Sequence, residues 1–456
     1  MLEVFTVGGG EYLVNTFQAV ASWGGSGGYK SLIRVVMVMG LIYALLVTAM
    51  NLDWRVWFRW FLQSTLIYSC LMVPTVTVKV TDRVNPALAP ANVAGVPLGL
   101  GVMASFTSQV GDYLTRTAET VFAMPAQLQY SNGGIIYGAR LWDKAMTFQV
   151  KDPVFRGNLD NYMKQCLYYD ILLGTADITA LSQSTDLWTD IGATAAVNRG
   201  ILYTQLDGGV YENVGMTCQQ AWNALNTEWT NYFANYVPRF AQSFYPSLTQ
   251  AAANAKIGAD LPVVGNLFTG TALPANQLLR QNALVDVIEG AQLNFGDDGA
   301  DAFAFTRADT QARNSMSSVA QQAMTWVPVL NVVLTMIFYA MFVVVFPLFL
   351  FPKTGVSTLK GYMGGFFYLA AWGPIYVLLH MFLMDRMART MAAEAPGGLT
   401  LFGWGGADAV VDDMASMAGV LMMSVPVLAG MLARGAGAVA SSAGSFLSSA
   451  QSGAEA

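Results

Sequence analysis

Three cysteines and one histidine are the residues of this 456-residue chain best suited to covalent or acid–base chemistry. Cys166 and Cys218 share a long segment of ordinary polarity, and Cys70 sits in an apolar run. A disulfide between the first two needs an oxidising compartment such as the periplasm. Closing a loop of that length contributes roughly 4 kcal/mol in the chain-entropy account. Two buried free thiols in a cytosolic domain are the alternative. His380 stands in another apolar run with no second ligand or nucleophile near it in sequence. An ionisable group inside a membrane is a functional candidate; a neutral imidazole bonded to a neighbouring helix is the preferred reading. GGSGGYKS at 24–31 lacks the Gly-Lys-Ser order of a phosphate loop and no strand precedes it. GDDGAD at 296–301 lacks the ligand spacing of a calcium loop and reads as a solvated turn. No Gly-x-Ser-x-Gly, His-Glu-x-x-His or Cys-x-x-Cys occurs, so the chain is expected not to be an enzyme and to carry no cofactor or metal.

The elements around these residues are mostly apolar. The chain is 54% hydrophobic and 11% charged, with a mean hydropathy of +0.43, where soluble domains carry about 25% charged residues. Too little charge is available to cover a soluble surface, so a membrane protein is expected. The net charge of −6 argues against direct nucleic-acid binding. Between Val329 and Phe351 only Asn331 and Thr335 are polar, enough for a span of about 20 residues. The same test finds Val35–Leu52, Phe58–Pro74, residues 362–384 and a weaker fifth span, Met414–Ala433, whose alternative is a buried or interfacial helix. Leu13, Phe17, Val20 and Trp23 recur at helical spacing, as a helix lying on the membrane or packed on the protein itself. No basic stretch precedes an apolar core at the N-terminus, so no cleaved signal peptide is expected.

The fold class that follows is all-α: a polytopic helical membrane protein with a large, mainly helical periplasmic domain inserted between membrane spans. Its expected parts are an amphipathic segment 1–34, a transmembrane hairpin 35–74, a domain 75–325, a second hairpin 326–385, and a last part 386–456 with the fifth helix and an Ala/Gly/Ser-rich tail. Arg55 and Arg59 in one short loop, and Lys353 and Lys360 in the other, are candidates for lipid headgroups. Counted against Lys30, Arg34, Arg386 and Arg389 they leave orientation undecided. The cysteine pair places the large loop outside and the short loops in the cytoplasm. Within the domain, Phe106, Val110, Tyr113, Leu114, Thr117 and Val121 share one helix face, and Trp222, Leu225, Trp229, Tyr232 and Tyr236 form an aromatic stripe. Such a stripe is core more often than a partner surface. Further helices are expected over 275–292 and 303–325. Gly361, Gly364 and Gly365, with Gly419 and Gly430, offer small surfaces for helix packing.

Several short stretches carry a family resemblance. They are Gly-Gly-Glu-Tyr-Leu at 9–13, Val96-Pro97-Leu98-Gly99-Leu100, Tyr130-Ser131 with Gly134, and Tyr137-Gly138-Ala139. Cys166 with Asp170 and Leu172, Cys218, Arg280-Gln281-Asn282 and Leu359-Lys360-Gly361-Tyr362 follow, then Trp372, Pro374 and Tyr376. In this order they resemble the N-terminal region of the TraG family of F-type conjugative transfer systems. The resemblance implies an inner-membrane platform component of a type IV secretion system, acting in pilus assembly and DNA transfer. It also implies membrane lipids and other secretion and pilus components as partners, and a homo-oligomer with five-fold symmetry. Family members usually continue into a long C-terminal periplasmic region tied to mating-pair stabilisation and to exclusion of redundant transfer. This chain stops soon after its last span, so those two roles are not carried over. A channel or transporter for small solutes is the competing reading; the chain shows no internal repeat and few intramembrane charges for it.

Overall fold

The computed structural model describes residues 1–434 apart from 53, 86–90, 122–123, 247 and 294–325. The expected helix over 303–325, the acidic turn at 296–301 and the tail lie outside the described residues.

The chain opens with strand β1, Leu2–Thr6, and helix α1, Gly10–Gly25. A hairpin of α2, Gly27–Asn51, and α3, Trp54–Leu71, follows, then β2, Thr75–Asp82, and β3, Ala91–Pro97. β1 pairs parallel with β2, and β2 antiparallel with β3, so the central strand joins residues over seventy positions apart. The expected all-α membrane class holds in outline, since helices dominate, but the small sheet is an addition the sequence reading does not contain. Its strands are short and mixed with polar residues, and non-local pairing leaves no local sequence period. The expected segments 1–34 and 75 onward are thereby stitched into one sheet. α1 lies on it with Leu13, Phe17 and Val20 buried, so this helix packs on the protein; Trp23, the fourth residue of the pattern, is 52% exposed.

Four described helices are long and apolar enough to cross a membrane: Gly27–Met50, Trp326–Phe349, Gly355–Glu394 and Leu401–Ala433. The expected span Phe58–Pro74 is the helix α3, but Arg55, Arg59, Gln63 and Ser64 take it out of this set. It still pairs with α2, where a Cβ on Gly40 would stand 2.7 Å from the Trp60 ring. The weaker fifth span is one of the four and is longer than expected. Both hairpin tips face the same end of the molecule, since Trp60 Nε1 donates to the Leu350 carbonyl at 2.8 Å.

The middle of the chain folds as a helical domain. α4, Leu98–Val121, leads into α5, Tyr137–Met146, and α6, Pro153–Tyr162, which continues through a wider turn to Leu172. α7, Leu187–Ala193, a two-stranded hairpin of β4, Gly200–Asp207, and β5, Val210–Thr217, and α8, Cys218–Phe244, come next. α9, Gln250–Thr269, and α10, Ala275–Leu293, complete it. Local chemistry sets the starts. Asp152 caps α6 with Pro153 behind it, and Thr217 and Gln220 form a capping box on α8. The core gathers Trp142, Phe148, Tyr162, Trp188, Trp222 and Trp229. The aromatic stripe is therefore core at Trp222, Leu225 and Trp229, with Tyr232 and Tyr236 half-buried at its edge. Burying such side chains contributes about 1.5–3 kcal/mol each.

α11, Trp326–Phe349, α12, Gly355–Glu394, and α13, Leu401–Arg434, follow. The last two do not stop where the apolar runs end. Met384, Met387 and Met391 of α12, and Ala407, Val410 and Val411 of α13, belong to the same core as the domain's aromatic residues.

Candidate functional site

The two cysteines are bonded, with Cα atoms 5.9 Å apart and both side chains fully buried. Cys166 lies on the wide turn that continues α6, and Cys218 is the first residue of α8. The bond clamps these helices beside a cluster of tilted rings, with the centroids of Tyr162 and Trp222 4.8 Å apart and those of Trp222 and Trp188 4.6 Å apart. Asp170, one of the residues carrying the resemblance, is buried there and pairs with Arg199. Cys70 is exposed and free.

The domain meets the membrane helices around His380. Its Nδ1 accepts the Ile136 N–H at 2.8 Å, so Nδ1 carries no proton. The proton of the neutral ring is on Nε2, which donates to the Leu128 carbonyl at 2.8 Å. The solitary histidine thus ties α12 to the segment before α5, through Leu128 at the end of a short 3-10 helix and Ile136 at the cap of α5, which fits the preferred reading of a neutral, hydrogen-bonded imidazole. Ile136 holds a left-handed backbone, φ 45°, which is costly for a β-branched residue. The imidazole contact fixes its N–H in that conformation. One turn away, Glu119 at the end of α4 accepts from both the N–H and the Oγ of Ser131, each at 2.7 Å. Glu119 and Ser131 are buried.

Behind this joint the Tyr137 hydroxyl meets Tyr245 and Asp260. Lys256 pairs with Asp260 at 3.1 Å and stands over both tyrosine rings. Burial first, and then the neighbouring Tyr245 and Asp260, hold the Tyr137 phenol far above its ordinary range, so it stays protonated, donating to Asp260 and accepting from the Tyr245 hydroxyl. The Arg280-Gln281-Asn282 stretch serves the same joint. Gln281 bonds Leu187, Ser184 and the Leu399 carbonyl after α12, and Asn282 donates to the Ala145 carbonyl at 2.7 Å. The resemblance had marked these residues; their roles were not visible in spacing.

The two polar residues of the most apolar stretch, Asn331 and Thr335, line a cavity of about 120 Å³ with Thr107, Asp112 and Thr115 of α4. The five expected packing glycines divide. Gly361 and Gly364 point outward with nothing near them, while a Cβ on Gly365 would stand 2.2 Å from the Phe338 ring. Gly419 is buried, and a Cβ on Gly430 would stand 3.8 Å from the Tyr368 ring. Arg55, Arg59, Lys353 and Lys360 are exposed around the two hairpin tips. Among the described residues no group of three or more His, Cys, Asp or Glu is placed to hold a metal.

The family model "TraG-like protein, N-terminal region" matches residues 3–455. The chain is 25% identical to Protein TraG of Escherichia coli strain K12 over 464 residues, covering 98% of this chain and 47% of that relative. It therefore spans about half the length of the curated relative it matches. No solved structure matches.

Proposed function

The chain belongs to the TraG-like, N-terminal region family, and from that premise we propose that it is an inner-membrane platform component of a conjugative type IV secretion system. Its work is pilus assembly and DNA transfer between cells, without direct contact to the DNA and without enzymatic activity of its own. The disulfide-linked domain faces the periplasm and the two hairpin tips face the cytoplasm, where their four exposed cations meet lipid headgroups. Several copies, most simply five, surround a central space, with other secretion and pilus components docking on the assembly. Gly361 and Gly364, open on the outward face of α12, are the small surfaces offered for contact between copies.

The observation that supports the reading most is the continuity of α12 and α13. Each runs unbroken from a charge-free stretch into the aromatic core of the domain. A displacement of the domain is therefore carried into the membrane along continuous helices, as a platform under a growing fibre requires. Impermeant maleimide labelling of cysteines placed at Asn132 and Thr354 tests the topology. Asn132→Cys should label from outside in intact cells and Thr354→Cys only after lysis; the reverse pattern would invert the assignment. In donor cells whose own copy is deleted, the wild-type chain should restore pili and plasmid transfer. Gly364→Leu should insert normally yet lose both. Full transfer by Gly364→Leu as a monomer in native mass spectrometry would remove the oligomeric platform.

A further inference from the structure

A cleft of about 530 Å³ opens where the domain sits on α12 and α13. Its wall is apolar, made by Leu383 and Met387 of α12 and by Val411, Met414 and Ala415 of α13. Its rim carries Arg140, Asp143 and Lys144 from α5. A volume of this order suits a small ligand or part of a larger one.

The level of the cleft is fixed by the sequence of the two helices that wall it. From Gly361 to Met384, α12 has no Asp, Glu, Lys or Arg; Asp385 and Arg386 follow at once. From Met414 to Ala433, α13 has none either, and Asp412 and Asp413 precede it. Both charge-free runs end at the cleft, so it lies where hydrocarbon gives way to headgroups if these helices cross a bilayer. The rim cations have the matching character. Lys144 is exposed. Arg140 stands over the Phe244 ring at 5.7 Å and takes part in none of the ion pairs between described residues. It is exposed and lines the cleft, while surrounding protein atoms desolvate its charge and lower its pKa against the opposing pull of the Asp143 carboxylate. A guanidinium in that position is stabilised by an anion that it can hold with two parallel hydrogen bonds.

We propose that this cleft is a binding site for one glycerophospholipid of the domain-side leaflet, its phosphate held by Arg140 and Lys144 and an acyl chain laid along Leu383, Met387, Val411 and Met414. Asp143 sits beside the two cations and gives the rim a place for a headgroup ammonium. The site would fix the domain to the bilayer surface at the joint where α12 and α13 enter its core. It depends on the membrane placement of these helices and not on a conjugative role, so its failure and the failure of that role are separable.

The test uses the full chain in maltoside micelles, which contain no phosphate. Two photoreactive lipids with the same diazirine-bearing acyl chain are added in turn, a phosphatidylethanolamine and a diacylglycerol. Cross-linked peptides are located by mass spectrometry. The phospholipid should label the peptides bearing residues 383–387 and 411–415 more strongly than the diacylglycerol. Arg140→Gln with Lys144→Gln should bring phospholipid labelling toward the diacylglycerol level, by about fivefold for each charge removed. Lys144→Arg should retain it. Equal labelling of the wild-type chain by the two lipids overturns the proposal and needs no variant. So does unchanged labelling of the double variant with its Cys166–Cys218 bond intact. If inorganic phosphate displaces the probe as well as unlabelled phosphatidylethanolamine does, the site is one for a free anion and the lipid is excluded.

Discussion

α4 and α8 read alike in sequence, each with an apolar stripe at helical spacing, and the structure turns them in opposite directions. α8 buries its stripe: Trp222, Leu225 and Trp229 are at most 6% exposed. α4 presents its stripe outward, with Phe106 57%, Tyr113 70% and Val121 74% exposed. Beyond Leu100 and Ala104 at its start, its inner face is small and polar instead, with Ser105, Thr107, Gly111, Thr115 and Glu119 buried. Those small residues let α4 lie close on α12. A Cβ on Gly111 would stand 3.3 Å from the Ala370 carbonyl, and one on Gly373 2.8 Å from Thr115 Oγ1. Ala370 and Gly373 fall within the charge-free run of α12. Around α8 the apolar side is the inside, the arrangement that water imposes. A helix sorted the other way, against a membrane-type helix, is arranged for an apolar neighbour.

The contrast can be broken most forcefully at α8. Trp229→Ala removes a side chain packed against Phe148, Phe155 and Trp188. It should cost about 3–5 kcal/mol of domain stability, read as an earlier denaturant midpoint of the purified chain in micelles. A loss under 1 kcal/mol on that scale would mean the stripe is not the core. At α4 the inner face is the one that should matter. Glu119→Ala strands the N–H and hydroxyl of Ser131 and should cost about 1–3 kcal/mol. The helix should also come away from the His380 joint, visible as faster amide exchange at Ser131 and Ile136. The smallest effect is expected on the outer face. Phe106→Ser should change stability in micelles by no more than about 0.5 kcal/mol, although the same kind of change at Trp229 is severe. A large loss for Phe106→Ser would show that its ring is packed within the protein and would erase the difference between the two helices.

Amino-acid order alone was enough for the features that depend on local composition. A run of twenty uncharged apolar residues can only be buried or lie in lipid, so three of the expected spans, and the weaker one over 414–433, coincide with helices long enough to cross. Large aromatic residues at helical spacing flanked by polar ones pointed to the core face of α8, and two cysteines in one polar segment pointed to the bond between Cys166 and Cys218, though two free thiols stayed open until the fold brought them together. Fold decided what depends on partners distant in the chain. The pairing of Leu2–Thr6 with residues over seventy positions on has no local signature, because five residues of strand show no period to set them apart. Periodicity located a face on α4 but not its direction, since a stripe is the same stripe whether its neighbour is the protein or an apolar surrounding. His380 gained its meaning only when the Ile136 N–H and the Leu128 carbonyl were brought to its two nitrogens. A hydrogen bond is set by atoms within about 3 Å, and only the tertiary structure brings residues 128, 136 and 380 that close.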